Sequence, residues 1–314
     1  MKKIKIIFAG TDKFSSIHLN ELILKKFNIL TVITKTDKKI GRGKKIQFSE
    51  VKKTAIKHKL QLIQLDSLNL EKYSKILKKK KPDMMIIVSF GLIIPNKIIK
   101  IFRLGCINIH TSLLPKFRGP SPIQSAILQG EKKTGISIIQ INNKLDTGNI
   151  LYKKSINIKK TDTYNTLKKK LTILGKKSLI KFLKNIVLKK TLSIPQNENK
   201  ATYTKKIYKK NGLINWNKKA SKIEKKVRAF NSWPGTFFFI KKIMIKIMKV
   251  NIIKSTKKIT PGKIIQADKN GILISTKNNL INVTELQISG KKINKVCKII
   301  HSYKKLFKIG RVLL

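Results

Sequence analysis

Short apolar runs alternate with helix-like segments along the first half of the chain. The runs with β character lie at Ile4–Ala9, Ile29–Thr34, Met84–Ser89, Cys106–His110 and Thr134–Ile141, and a helix is predicted around Ile17–Phe27. Strands that alternate with helices need crossover connections, which favours a Rossmann-like, mainly parallel sheet. Ligands bind beyond the carboxyl ends of the strands in such sheets. The loops after Cys106–His110 and after Thr134–Ile141 are therefore the places where we expect a site.

The pattern changes in the second half of the chain. A long amphipathic helix, with apolar residues at helical spacing from Leu167 to Val187, gives way to a polar segment. Several short β runs follow between Gly235 and Ile288, which predicts a small OB-like β-barrel. We therefore expect an α/β domain over residues 1–189, a linker over 190–207 and a second domain over 208–314.

The chain is extremely basic. It has 72 Lys and Arg residues against 14 Asp and Glu, which gives a formal net charge of +58. Such a charge is typical of proteins that bind nucleic acid. Only five of the cations are Arg, however, and the abundant Lys, Ile and Asn are all written with A/T-rich codons. Drift in base composition explains most of the lysines equally well, so the charge permits RNA binding without establishing it.

Two cysteines and the lengths of the apolar runs indicate the cellular compartment and whether a metal site is expected. Cys106 and Cys297 lie far apart with no Cys-x-x-Cys pattern and no Cys/His cluster, so we expect neither a disulfide framework nor a metal site. Lys5 interrupts the first apolar run, which argues against a secretion signal. The longest apolar stretch, Met84–Ile94, is shorter than the ~20 residues that cross a bilayer. These features predict a cytoplasmic protein with no membrane partner, which we expect to be a monomer.

One region concentrates polar side chains that suit acyl transfer. Asn108 and His110 lie two residues apart on a predicted strand and so project to the same side. Asp146 follows the next strand, in a Leu-Asp-Thr-Gly loop, and could meet them at one edge of the sheet. An amide and an imidazole can stabilise an oxyanion, while a carboxylate can accept a proton from an amine or orient the histidine. On spacing alone, a structural Asn–His pair explains the pattern more often than catalysis does.

The same region resembles the methionyl-tRNA formyltransferases. That family has an Asn-x-His-x-Ser-Leu-Leu-Pro segment followed by a Leu-Asp-Thr-Gly loop, as this chain does between Asn108 and Gly148. Further similar segments occur in the family's order along nearly the whole chain: IIFAGTDKF, GRGKK, VSFGLIIP, RLGCINIH, RAFNSWPGT and PGKI. So many ordered matches make the resemblance specific.

The resemblance implies an enzyme of translation initiation. Its reaction would move a one-carbon formyl group from 10-formyltetrahydrofolate to the amino group of methionine on initiator tRNA, without a metal. Asn108, His110 and Asp146 would form the transfer centre. The folate would contact Ser112, Leu113, Leu114, Pro115, Phe90, Gly91 and Leu92. The tRNA would contact the loop that carries Arg42, Lys44 and Lys45, and the C-terminal barrel would also bind tRNA.

The sequence departs from the family at two places. Thr111 stands where many bacterial members have glycine, which affects how closely the folate can approach. Thr36 and Lys39 stand where the family has prolines, so we expect the loop around Arg42 to be less rigid before it binds RNA.

Two other functions share some of these features. A formyltransferase acting on an amino sugar or a purine precursor would use the same Asn, His and Asp side chains. A protein that has lost catalysis and only binds RNA would keep the barrel. The RGPSPIQ segment, the GRGKK loop and the barrel favour tRNA as the substrate.

Overall fold

The computed structural model describes residues 4–40, 45–65, 72–188 and 190–313. The chain divides into two compact units. The first unit contains residues 1–119, 134–156 and 169–203, and the second contains residues 120–133, 157–168 and 204–314.

A seven-stranded sheet forms the centre of the first unit. Its strands are, in sheet order, β5 (Leu62–Leu65), β2 (Asn28–Lys35), β1 (Lys5–Gly10), β6 (Met84–Val88), β7 (Cys106–His110), β8 (Lys133–Gln140) and β9 (Ile150–Asn157). The pairings from β5 through β7 are all parallel, whereas β8 runs antiparallel to β7. The mainly parallel sheet expected from the sequence is confirmed.

The central strands read as continuous apolar runs because helices and loops cover both faces of the sheet. All five residues of β6 are buried, and only Lys5 of β1 is exposed. The described helices of the whole chain are α1 (Lys13–Leu24), α2 (Glu50–Lys57), α3 (Ser74–Lys79), α4 (Asn96–Ile99), α5 (Pro122–Gln129), α6 (Tyr164–Val187), α7 (Ala220–Ala229) and α8 (Val296–Ile299). None of them is long and apolar enough to cross a membrane.

Helix α1 begins four residues before the predicted start. Asp12 is the N-cap, and its carboxylate accepts a hydrogen bond from the Ser15 amide at 3.0 Å. An acidic side chain that satisfies a free amide of the first turn fixes where a helix starts. The prediction followed the apolar periodicity, which becomes visible only further along, and therefore missed this cap.

A small hairpin, β3 (Lys38–Ile40) and β4 (Lys45–Gln47), follows β2. Its base is tied to neighbouring elements by polar contacts. Lys52 on α2 pairs with Asp37 and donates to the Gln64 side-chain oxygen at 2.9 Å, and its ammonium lies 3.9 Å from the centre of the Phe48 ring. These contacts fix both ends of the hairpin although the family's prolines are missing from it.

The second unit contains an antiparallel sheet. Its strands are β10 (Thr236–Ile240), β11 (Ile243–Ile253), β14 (Leu280–Ile288), β13 (Gly271–Ser275) and β12 (Ile264–Asp268) in sheet order, with β15 (Ile293–Lys295) paired to β14. Ile223 and Val227 of α7 join the buried core of this sheet. The antiparallel β domain expected from the sequence is confirmed, and its closure into an OB-like barrel stays a prediction.

His18 is a buried structural residue of the first unit. Its side chain on α1 is fully buried, and its Nδ1 lies 2.7 Å from the Phe14 carbonyl oxygen, to which it donates. The other ring nitrogen, Nε2, has no hydrogen-bond partner among the described residues. A Cβ on Gly175 of α6 would lie only 2.5 Å from Nε2, so a glycine is needed where α6 passes the ring. Burial lowers the pKa of His18 to about 4.

This burial predicts a loss of stability in mild acid. Between about pH 6.5 and the folded pKa of about 4, the unfolded chain binds a proton at His18 that the folded chain does not. This part of the stability of the folded chain is therefore fully present above this pH window and is lost as the pH falls through it. Urea unfolding at several pH values should show the free energy of unfolding falling by up to about 3 kcal/mol across this window. His18→Gln should flatten the dependence, whereas the control His301→Gln, at an exposed position, should keep it. An unchanged slope in His18→Gln would contradict the assignment.

Candidate active site

The structure brings Asn108, His110 and Asp146 together. Asn108 lies half-buried in the middle of β7, and its Nδ2 donates to Asp146 Oδ1 at 3.3 Å. Nδ1 of His110, two residues further along the strand, lies 3.5 Å from Asp146 Oδ2. One carboxylate therefore faces both an amide and an imidazole, as the period-two spacing on the strand requires.

Orientation of the His110 ring follows from its other contact. Nε2 lies 2.9 Å from the Phe117 carbonyl oxygen. Because a carbonyl oxygen only accepts hydrogen bonds, Nε2 carries a hydrogen and donates it. The remaining nitrogen, Nδ1, then faces Asp146. His110 is held between a backbone acceptor and a carboxylate, and 6% of its side chain is exposed against 9% for Asp146.

Asp146 has an unusual backbone conformation that its neighbours maintain. Its φ is +55°, in the left-handed region that Asp tolerates better than most residues. Oδ2 accepts a hydrogen bond from the Gly119 amide at 2.8 Å, and the Asp146 carbonyl accepts one from Gln196 Nε2 at 2.8 Å. Residues held in this region at functional sites are kept there by surrounding contacts.

The loop that carries Asp146 reaches the site in a different way from the one expected. We expected the loops after β7 and β8 to leave the same edge of the sheet, which holds only if the two strands are parallel. The strands are antiparallel, with Ile107 opposite Gln140, so β8 ends beside the beginning of β7. The loop then folds back, and Gly148 packs so closely on Gln140 that a Cβ would lie 1.7 Å from its carbonyl oxygen. This fold-back places Asp146 beside Asn108.

The Ser112–Pro115 segment follows β7, and the hydroxyl of Ser137 on β8 fixes its backbone at two points. Ser137 Oγ donates to the Ser112 carbonyl at 2.8 Å and accepts from the Leu114 amide at 3.1 Å. Ser112 and Leu114 are fully buried, whereas Leu113 and Pro115 are half-buried. Leu113 and Pro115 are therefore the members of this segment that present surface to a ligand.

The second group of predicted folate contacts follows β6. Phe90 is buried, Gly91 is exposed with φ +68°, and Leu92 is half-buried. Lys35 Nζ donates to the Gly91 carbonyl at 3.1 Å. Because β6 and β7 are parallel neighbours, this loop and the Ser112–Pro115 segment leave the same end of the sheet.

A charged residue that the prediction overlooked lies next to these groups. The side chain of Arg118 is fully buried, and its guanidinium contacts Gln196, Glu198 and Tyr203. The last three belong to the polar segment interpreted as a linker, which in the structure packs within the first unit. The one signal available was that Arg118 is among only five arginines in a lysine-rich chain.

The arrangement suits acyl transfer to an amine. It combines an amide donor, an imidazole and a carboxylate on one side of a strand, next to two loops at the end of the sheet. Within the described ranges, no three His, Cys, Asp or Glu side chains lie close enough together to hold a metal ion.

Comparison with known proteins identifies the family. The family described as "Formyl transferase" matches residues 1–183, and "Formyl transferase, C-terminal domain" matches residues 206–304. A methionyl-tRNA formyltransferase of Buchnera aphidicola subsp. Acyrthosiphon pisum (strain Tuc7) is 45% identical over 314 residues, 100% of both chains. That of Wigglesworthia glossinidia brevipalpis is 41% identical, covering 99% of this chain and 98% of its own. The chain belongs to the methionyl-tRNA formyltransferase family.

Solved structures share the fold at low sequence identity. WlaRD, a sugar 3N-formyl transferase, superimposes with a TM-score of 0.67 at 22% identity, over 93% of this chain and 100% of that chain. HypX from Aquifex aeolicus, in a complex with tetrahydrofolic acid, gives a TM-score of 0.65 at 16% identity, over 97% of this chain and 48% of that one. The chain thus corresponds to about half of HypX. These likenesses support the expected formyltransferase fold.

The predicted RNA-contacting residues are only partly covered by the structure. Arg42 and Lys44 lie outside the described residues. Lys45 is the first residue of strand β4, and only the backbone of Lys45 is described. Their role in this member of the methionyl-tRNA formyltransferase family stays a prediction from the sequence.

Proposed function

We propose that the chain transfers the formyl group of 10-formyltetrahydrofolate to the amino group of methionine carried by initiator tRNA. The observation that supports this most directly is the contact of Asp146 with both Asn108 and His110. It occurs in a chain that matches a methionyl-tRNA formyltransferase at 45% identity over its full length.

The side chains divide the work of acyl transfer as follows. Attack of an amine on a formyl carbon develops negative charge on the formyl oxygen, which hydrogen-bond donors must stabilise. The Asn108 amide has two hydrogens, one of which is donated to Asp146, so the other can be directed to that oxygen. The Asp146 carboxylate accepts the proton lost by the amine. His110 Nδ1, 3.5 Å from the same carboxylate, can share that proton, because Nε2 already carries the ring hydrogen that the Phe117 carbonyl accepts.

The residues at the end of the sheet fit a folate. Its bound form would supply the activated formyl group. Two large apolar side chains are exposed near the site: Ile93, on the loop after β6, at 71% and Leu145, on the loop that carries Asp146, at 62%. Exposed apolar side chains of this kind suit contact with a flat ring system. The backbone of Phe90, Gly91 and Leu92 would receive the folate ring on one side, and the segment of Ser112, Leu113, Leu114 and Pro115 would line the site on the other.

The tRNA assignment extends to the rest of the chain. We propose residues 1–189 as the catalytic domain and 208–314 as the OB-like tRNA-binding domain. Residues 190–207 would be the linker between them, of which the part up to residue 203 packs within the first unit. Arg42 and Lys44, which lie between β3 and β4 in the sequence, and Lys45 at the start of β4 would contact the acceptor end of the tRNA. Lys52 fixes the residues that flank these two strands. A role in translation initiation places the chain in the cytoplasm, and a monomer is what we expect from the sequence.

The acceptor can be identified by direct competition. Purified chain supplied with 10-formyltetrahydrofolate should formylate methionyl initiator tRNA in strong preference to free methionine, amino sugars and a purine-precursor amine. Product is measured by acid precipitation of labelled tRNA and by mass spectrometry of the small amines. Preference for a free amine would replace the tRNA assignment with a small-molecule formyltransferase.

Asp146→Asn tests the carboxylate. Asparagine is near-isosteric, also tolerates positive φ, and keeps the backbone carbonyl that accepts from Gln196, so the loop stays anchored while the proton acceptor and one of the two side-chain acceptors are lost. Turnover should fall by roughly 100-fold or more, with tRNA affinity nearly unchanged. Asp268→Asn, in a hairpin turn of the second unit, is the matched control and should keep full turnover. Unchanged turnover in Asp146→Asn would remove Asp146 from the mechanism.

Arg42→Ala tests the RNA-contacting loop. Formylation of initiator tRNA should become weaker, and discrimination against elongator methionyl-tRNA should become poorer. The salt dependence of tRNA binding should become less steep, because one phosphate contact releases about one counterion. The control Arg103→Ala removes an exposed arginine that pairs with Asp83. Binding of wild-type chain that hardly changes with salt would mean that the lysines reflect base composition alone.

A further inference from the structure

Arg118 donates a hydrogen bond from every N–H group of its guanidinium. Its Nη1 and Nη2 donate to the two carboxylate oxygens of Glu198 at 2.8 and 2.7 Å. Nε and Nη2 donate to Gln196 Oε1 at 3.1 and 2.9 Å, and Nη1 donates to the Tyr203 hydroxyl at 2.8 Å. A guanidinium has five N–H groups, so every one of them has an acceptor. Such saturation is what a fully buried charge requires.

The two members of the Arg118–Glu198 ion pair differ in their exposure to solvent. Glu198 is 66% exposed, whereas Arg118 is fully buried. The contact lowers the pKa of Glu198 and raises that of Arg118, so the pair stays charged at ordinary pH. The buried, fixed guanidinium also holds its neighbours along the chain, which lie next to the proposed transfer centre.

The residues on either side of Arg118 contact the two members of the proposed acid–base pair. Phe117 supplies the carbonyl that accepts from His110 Nε2, and Gly119 supplies the amide that donates to Asp146 Oδ2. Phe117 has a φ of +64°, which a bulky non-glycine residue rarely adopts, so its backbone is not in a conformation that it would prefer alone. Gly119, at φ +105°, lies in a region that glycine adopts freely.

A second route connects the guanidinium to Asp146. Gln196 accepts from Arg118 with its side-chain oxygen and donates with its Nε2 to the carbonyls of Asp146 and Gly148, both at 2.8 Å. Because the amide oxygen is fixed by Arg118, the amide nitrogen must point to the Asp146 loop. Arg118 thereby determines which end of Gln196 meets that loop.

We propose that Arg118 is a positioning residue for formyl transfer, which acts through Phe117, Gly119 and Gln196 to hold His110 and Asp146 at their working distance. The proposal rests on the proposed function of that site. Lysine cannot replace it, because an ammonium lacks the planar fork that contacts Glu198, Gln196 and Tyr203 at once.

The main test is Arg118→Lys, with Arg103→Lys as the matched control. Arg103 also pairs with a carboxylate, Asp83, but is exposed. Arg118→Lys should lower kcat by about 10- to 100-fold while KM for the folate and the tRNA changes little, because displaced reacting groups affect the transition state. Arg103→Lys should keep wild-type kcat. Wild-type kcat in folded Arg118→Lys would overturn the proposal.

Coupling to Asp146 separates positioning from general destabilisation. In an Asp146→Asn background, Arg118→Lys should lower single-turnover formylation by no more than about threefold, because residues that act through one another are not additive. An equal loss in both backgrounds would mean that Arg118 acts independently of Asp146 and would overturn the proposal. The ratios are measured with whichever acceptor the wild-type chain uses, so a wrong tRNA assignment would not affect them.

Gln196→Glu keeps the proposal testable if Arg118→Lys does not fold. The new carboxylate keeps an oxygen for Arg118 but replaces the donor with an oxygen that faces the Asp146 and Gly148 carbonyls. We expect a kcat loss similar to that of Arg118→Lys, with a melting temperature close to wild type. Unchanged kcat would mean that the contact from Gln196 to the loop does not position Asp146.

Discussion

The left-handed backbone of Asp146 is the constraint on which the site depends. A non-glycine residue at φ +55° costs free energy and persists only where neighbouring groups hold it. Here the Gly119 amide holds the carboxylate and Gln196 holds the carbonyl. The same carboxylate then contacts Asn108 and His110, so the conformation of a single residue connects a strand, a tight turn and a returning loop.

The antiparallel direction of β8 determines how that loop is built. In a wholly parallel sheet, a loop after β8 would leave from the same end as the loop after β7. Because β8 runs the other way, the loop must turn back across the beginning of β7, and the close contact of Gly148 with Gln140 makes this possible. Asp146 consequently meets Asn108 beside the strand rather than beyond its end. The two loops with the proposed folate contacts follow β6 and β7 at the end of the sheet that these parallel strands share.

The polar segment before residue 204 is a structural part of the first unit. Its composition, with Pro195, Asn197 and Asn199, is that of a flexible connection. In the structure Ile194 pairs with Ile150 through two backbone hydrogen bonds of 2.8 and 3.0 Å, and Gln196 and Glu198 enclose the Arg118 guanidinium. Side-chain acceptors of this segment hold a buried cation next to the proposed transfer centre.

The sequence by itself predicted strands β1, β2, β6, β7 and β8 of the first unit, strands β10 to β14 of the second, the family, and the three side chains Asn108, His110 and Asp146, because periodicity and motif spacing are local properties. It missed the edge strands β5 and β9 and the short strands β3, β4 and β15. Only the tertiary structure decided that β8 is antiparallel, that α1 begins after Asp12 and that Arg118 is buried. The first and last of these depend on partners far apart in the chain: Arg118 meets Gln196 and Glu198 across separations of 78 and 80 residues. Strand direction and the burial of a charge are set by such long-range contacts, and no window of neighbouring residues contains them.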